Sequence, residues 1–197
     1  MSGSRLSSKK RQEQIMDVAL NIIYEEGYYN LTIRNIANEI DISEAAIYRH
    51  FKNKEEIINK LSTRVFKKNN LVSKDLSDDN PFNILKNIFY KQIEVLEKEP
   101  YLTAILFQEE IFREYPDIRN KFKKHRRKNE KFIVNLIKKG KDKGYFRKDV
   151  DEESFALLFM GSLRLLILKW REANFSYSPK AEMDNIFEEL SKLLKTD

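Results

Sequence analysis

The sequence contains no cysteine, five glycines, four prolines, two histidines and one tryptophan in 197 residues. Without cysteine there are no disulfides and no thiolate metal sites, and a cytoplasmic protein is the simplest reading. His50 and His125 lie too far apart in sequence to form a local metal-ligand motif, so no metal and no cofactor is expected. The scarcity of glycine and proline leaves few places where a helix must break. Long apolar runs are also missing. The longest, Phe155 to Leu168, spans 14 residues and contains Arg164, short of the roughly 20 apolar residues that cross a bilayer. The N-terminal stretch MSGSRLSSKKRQ is polar and basic with no apolar core, so neither a signal peptide nor a membrane anchor is expected there. A serine nucleophile elbow and a phosphate-binding glycine loop are likewise lacking, and the chain does not read as an enzyme.

The charge present is positive and uneven. The net charge is +6, with 12 Lys/Arg against 9 Asp/Glu in residues 1–68 and 13 against 2 in residues 121–148. The remaining stretches, 69–120 and 149–197, each hold 6 basic and 10 acidic residues. Clustered cations of this kind suit an anionic partner such as nucleic acid. The most basic run, Lys121 to Lys131, reads first as a solvated helix face and second as an anion-binding or DNA-contacting surface.

Apolar residues recur at three- and four-residue steps almost throughout, with no sustained alternation, which predicts an all-α fold of about nine helices. Ile15, Val18, Ala19, Ile22 and Ile23 form the stripe of a first helix, ended by Gly27. Thr32 suits the N-cap of a second helix, with Ile33, Ile36, Ala37 and Ile40 facing inward. Ser43 suits the cap of a short third helix ending near His50. Asn53 and Glu56 have the spacing of a capping box for a fourth, with Ile57, Leu61 and Val65 on one face. The polar stretch Ser73 to Pro81 reads as the end of a linker, giving an N-terminal domain over 1–68 and a second over 69–197. Pro81, Pro100, Pro116 and Pro179 suit the first turns of later helices near 81–98, 100–114, 117–143 and 179–195, with one more over 151–174 and Gly144 closing the third of these.

The second and third helices, joined by a tight turn, have the geometry of a helix-turn-helix, which sets one helix in the major groove and braces it with the other. The helix left exposed offers Ser43, Glu44, Ala45, Tyr48 and Arg49. Glu44 suits a cytosine amino group, Ala45 a thymine methyl, and Arg49 guanine or phosphate. Tyr48 and His50 suit phosphate, Arg34 adds a further cation, and Lys54 at the start of a helix joins the positive end of the dipole there.

The run from Thr32 to Ile58, TIRNIANEIDISEAAIYRHFKNKEEII, resembles the N-terminal signature of TetR-family regulators, and the likeness covers about residues 9–65. It implies an all-α homodimer that binds a palindromic operator through three N-terminal helices, with the remaining helices forming a ligand pocket and a dimer bundle. It assigns phosphate or backbone roles to Thr32, Ser43, Tyr48, His50 and Lys54, and base-reading roles to Glu44, Ala45 and Arg49. Many members carry glycine in the turn where this chain has Asp41, a residue that tolerates left-handed backbone better than most.

The second domain supplies candidates for an apolar effector pocket in Phe89, Ile93, Leu106, Phe107, Glu110, Ile111, Phe159, Met160 and Leu163, with Gln108 and Glu109 also placed to orient a polar end. The apolar faces of the last two helices suggest a dimer interface of Phe155, Leu158, Gly161, Ser162, Leu165, Ile186, Leu190 and Leu193. The favoured function is a repressor released from its operator by a small hydrophobic effector. The alternative is a DNA-bound protein of the nucleoid-occlusion type that acts mainly through a protein partner.

Overall fold

The computed structural model describes residues 6–70, 80–107 and 109–195. Most of the stretch expected as a linker, residues 73–79, lies outside the described residues, as do Gln108 and the side chains of Glu109, Glu110 and Phe112. Among the described residues all regular structure is helical. The described residues form ten α-helices and two single turns of 3₁₀ helix. No helix among them is long and apolar enough to cross a membrane.

The chain forms two compact units. The first comprises residues 1–68 and 101–122, the second residues 69–100 and 123–197. A boundary at 68/69 alone therefore does not describe the packing, because the segment 101–122 is drawn into the N-terminal unit.

In the first unit, α1 (Ser8–Glu26) begins at Ser7, whose Oγ accepts from the Lys10 N–H, and ends at Gly27 with a φ of +87°. A 3₁₀ turn, Tyr28–Asn30, leads to α2 (Ile33–Glu39) and α3 (Glu44–Tyr48). Then come α4 (Lys54–Lys68), α6 (Thr103–Leu106), α7 (Glu109–Glu114) and the first turns of α8 (Pro116–Asp142). Helix α1 packs on α2, α4 and α6. The shared core is Ile15, Ala19, Ile23, Ile36, Ile47, Phe51, Ile57 and Leu61, all essentially inaccessible to water. Val18, Ile33 and Ile40, read as inward-facing residues, are only half-buried.

The single helix expected over 100–114 is broken. Pro100–Leu102 is a 3₁₀ turn, followed by α6 and then α7. Leu102, Thr103, Ala104, Ile105 and Leu106 are all buried. Five successive buried residues wrap every side of a helix, so the segment has no apolar stripe for periodicity to detect.

In the second unit, α5 (Pro81–Lys98) starts at Asn80, whose side chain accepts from the Phe82 N–H at 2.9 Å. Helix α10 (Lys180–Lys192) packs against α5 and α9 (Glu152–Glu172). Phe89 meets Phe159 edge to face at 5.4 Å and Phe187 at 6.0 Å, which fixes the centre of this core. Gly144, with φ of +77°, turns the chain after α8 so that Phe146 folds back over Gly140.

Candidate nucleic-acid interface

Local capping positions α2 and α3. The Asn35 N–H donates to Thr32 Oγ1 at 3.0 Å, and the Ala46 N–H donates to Ser43 Oγ at 3.2 Å. Between the two helices the Asp41 N–H reaches the Asn38 carbonyl at 3.2 Å and the Ile42 N–H reaches the Ala37 carbonyl at 3.0 Å. This is the Schellman closure, with Asp41 at a φ of +51° in the position usually taken by glycine. The turn is therefore built entirely from backbone bonds, and it fixes the angle at which α3 leaves α2.

One face of α3 is anchored by Ile47, which is fully buried. The opposite face is open. Ser43, Glu44, Ala45, Tyr48 and Arg49 are exposed, as are Thr32 and Arg34 on α2, while Ala46 and His50 are half-buried. The helix thus presents a carboxylate, a methyl, a phenol and a guanidinium on a single surface, a set able to meet base edges and phosphates.

The sequence reading missed the start of α1. Gln12 Nε2 donates to the His50 carbonyl at 3.3 Å, and Ser8 Oγ lies 3.3 Å from His50 Nδ1. Ser8, Arg11, Ile42, Ala46, Arg49 and His50 border a cleft of about 320 Å³ beside α3. The 8, 11, 12 spacing, one helical face, was the available signal.

At the start of α4 the Glu56 N–H donates to Asn53 Oδ1 at 2.9 Å. The Glu56 carboxylate takes the Lys52 N–H at 2.8 Å, so the reciprocal bond of the expected capping box falls one residue earlier. That backbone donor is the main reason the Glu56 carboxyl is held below its ordinary range. Apart from Glu56, whose N–H is taken by Asn53, the first amides of α4 have no partner within the helix, and such free amides favour an anion.

Lys54 is not extended into solvent. Its Nζ sits 4.3 Å from the centroid of the Tyr28 ring and 3.8 Å from Glu114 Oε1. Glu114 in turn accepts from the hydroxyls of Tyr28 and Tyr115. Burial works to raise the Glu114 carboxyl, but the two tyrosine hydrogen bonds and the Lys54 charge outweigh it and hold the group below the usual carboxylate range. Burial first, and the bond to Glu114 second, push Tyr28 far above the ordinary phenol value and Tyr115 up to about 12.

The other predicted site residues fall in both units. Leu106, Phe107 and Ile111 belong to the first unit; Phe89, Ile93, Phe159, Met160 and Leu163 belong to the second. Glu110 lies on α7. Of the expected dimer residues, Leu158, Gly161, Leu165 and Leu193 are exposed, Ser162 and Ile186 are half-buried, and Phe155 and Leu190 are in the core of their own chain. Leu157, absent from that set, is exposed on α9 as well.

Residues 15–61 match the family described as bacterial regulatory proteins, tetR family. The HTH-type transcriptional repressor KstR2 of Mycobacterium tuberculosis strain H37Rv is 27% identical over 144 residues, covering 72% of each chain. The nucleoid occlusion factor SlmA of Vibrio campbellii is 23% identical over 199 residues, 99% of this chain and 100% of that one. The structure of the transcriptional regulator FadR from Bacillus subtilis in complex with stearoyl-CoA shares the fold, with a TM-score of 0.77 at 19% identity over 93% of this chain and 99% of that one. The helix-turn-helix segment thus carries the sequence pattern of the tetR family of bacterial regulatory proteins, and over 93% of its length the chain shares the fold of a transcriptional regulator.

Proposed function

We propose that this regulator is a cytoplasmic repressor that binds a palindromic operator as a homodimer and is released by a small hydrophobic effector. The observation that carries the DNA-binding half is the surface of α3, where Ile47 is buried and Glu44, Ala45, Tyr48 and Arg49 stand free. In this reading Glu44, Ala45 and Arg49 read bases. Thr32, Arg34, Ser43, Tyr48, His50 and Lys54 hold the backbone.

Residues 69–197 would carry effector binding and dimerisation. Exposed Leu158, Leu165 and Leu193, with open space around Gly161, offer an apolar surface that a symmetry mate would cover. The buried Phe89–Phe159 pair lies among the candidate pocket residues. An effector entering there must push the two apolar rings apart, which suits an acyl chain or a fused ring system. The ligand of Bacillus subtilis FadR and the repressor name of KstR2 support this choice.

The test is fluorescence anisotropy with DNA from the gene's own upstream region, at two salt concentrations, using wild type and a Tyr48→Ala, Lys54→Ala double variant. Wild type should prefer this DNA over random sequence, and the double variant should lose binding. Stearoyl-CoA should then weaken the complex. DNA binding that no acyl-CoA or sterol alters would favour action through a protein partner, which the likeness to nucleoid occlusion factors also fits.

A further inference from the structure

Three segments of the first unit meet at one carboxylate that no sequence motif singled out. Glu114 closes α7, Tyr28 opens the 3₁₀ turn after α1, and Lys54 opens α4. The Tyr28 hydroxyl donates to Glu114 Oε2 and the Tyr115 hydroxyl to Oε1, so both oxygens are held. Tyr28 is only 2% exposed and gives the Lys54 ammonium a fixed aromatic floor. The side chains of Lys54 and Glu114 are 27% and 47% exposed, which leaves the pair open to an approaching phosphate.

The 3.8 Å separation is longer than a hydrogen bond, so Lys54 is held by charge and by the ring face, and neither attraction fixes its three N–H directions. A carboxylate at that distance offsets much of the ammonium's pull on a phosphate and itself repels the phosphate. We propose that Glu114 is a positioning residue for DNA binding, whose carboxylate competes with a backbone phosphate for Lys54 and keeps operator affinity below what Lys54 alone would give. The inference rests on Lys54 being a phosphate contact.

Glu114→Gln removes the charge, keeps the side-chain size and still accepts from Tyr28. Measured by anisotropy on the operator, it should bind about two- to fivefold more tightly than wild type at low salt, with a steeper salt dependence. In a Lys54→Ala background the same substitution should gain much less, since only the direct repulsion of the phosphate is then relieved. Binding equal to or weaker than wild type, with unchanged thermal unfolding, overturns the proposal. An equal gain in the Lys54→Ala background does so too, because the effect would then be bulk charge. Should Glu114→Gln unfold early, Tyr115→Phe gives an independent reading: it frees Oε1 for Lys54 and should weaken DNA binding by about twofold, whereas unchanged or tighter binding sinks the idea. If Lys54→Ala binds as well as wild type, the phosphate role of Lys54 fails and the proposal falls with it. If Lys54→Ala weakens binding and Glu114→Gln has no effect, only the competition fails.

Discussion

The Ile42 N–H donates to the Ala37 carbonyl at 3.0 Å, five residues back along the chain, and this bond forms only because Asp41 between them holds a φ of +51°. The turn that aims α3 therefore depends on one residue in left-handed backbone. Asp41→Gly removes the strain but makes the unfolded chain more flexible, so its stability should stay within about 1 kcal/mol of wild type. Asp41→Val should lose about 1–2 kcal/mol, because a branched side chain is poorly tolerated there. Urea unfolding of the two variants decides it, and equal stabilities would show that the turn does not need this geometry.

Gly140 is a backbone position where a side chain would collide with a buried ring. A Cβ on it would stand 2.0 Å from Phe146 Cδ2, and Phe146 is itself buried. Gly140→Ala should lower stability by about 2 kcal/mol, seen as a fall of roughly 4–8 °C in melting temperature, even though alanine is the better helix former. A melting temperature that rises instead would mean the ring moves aside freely.

Leu165, in the middle of α9, is 62% exposed. A large apolar side chain so placed, with exposed Leu158 on the same side of the helix, is expected to be covered in a dimer. Wild type should sediment as a dimer and Leu165→Glu as a monomer at the same concentration, with helix content unchanged. Identical sedimentation of the two would move the interface elsewhere.

His125 is depressed below its ordinary value of 6.5, chiefly by burial, which outweighs its bond to the Asn69 carbonyl and is aided by the Lys128 charge. The unfolded chain then binds the proton more readily than the folded one. Stability from this group is present above pH 6.5 and is lost as pH falls from there through the folded value. Melting temperature should therefore drop below about pH 6.5, and His125→Gln should flatten that region of the profile. An unchanged profile would assign the acid sensitivity to other groups.

The helices and their ends were legible because they depend on neighbours in sequence. Thr32, Ser43 and Asn53 each accept from an N–H three residues on, and Gly27 and Gly144 each take positive φ where the apolar pattern stops. Even the departure at Asp41 could be read, because the turn needs a residue that tolerates left-handed backbone. Periodicity failed at 102–106, where burial on every side erases the stripe it detects. It also grouped Phe155 and Leu190 with Leu158 and Leu165, since an apolar residue in a helix carries no mark of whether its own chain or another covers it.

The amino-acid sequence by itself determined the helical class, the caps, the turn between α2 and α3 and the side chains that α3 carries, because these follow from interactions over three to five residues. Only the tertiary structure decided that 101–122 joins the N-terminal unit, that Ser8 and Gln12 brace His50, and that Glu114 reaches Tyr28 across 86 residues of chain to meet Lys54. Contacts at that separation are set by how whole faces pack, and no local pattern of residues records them.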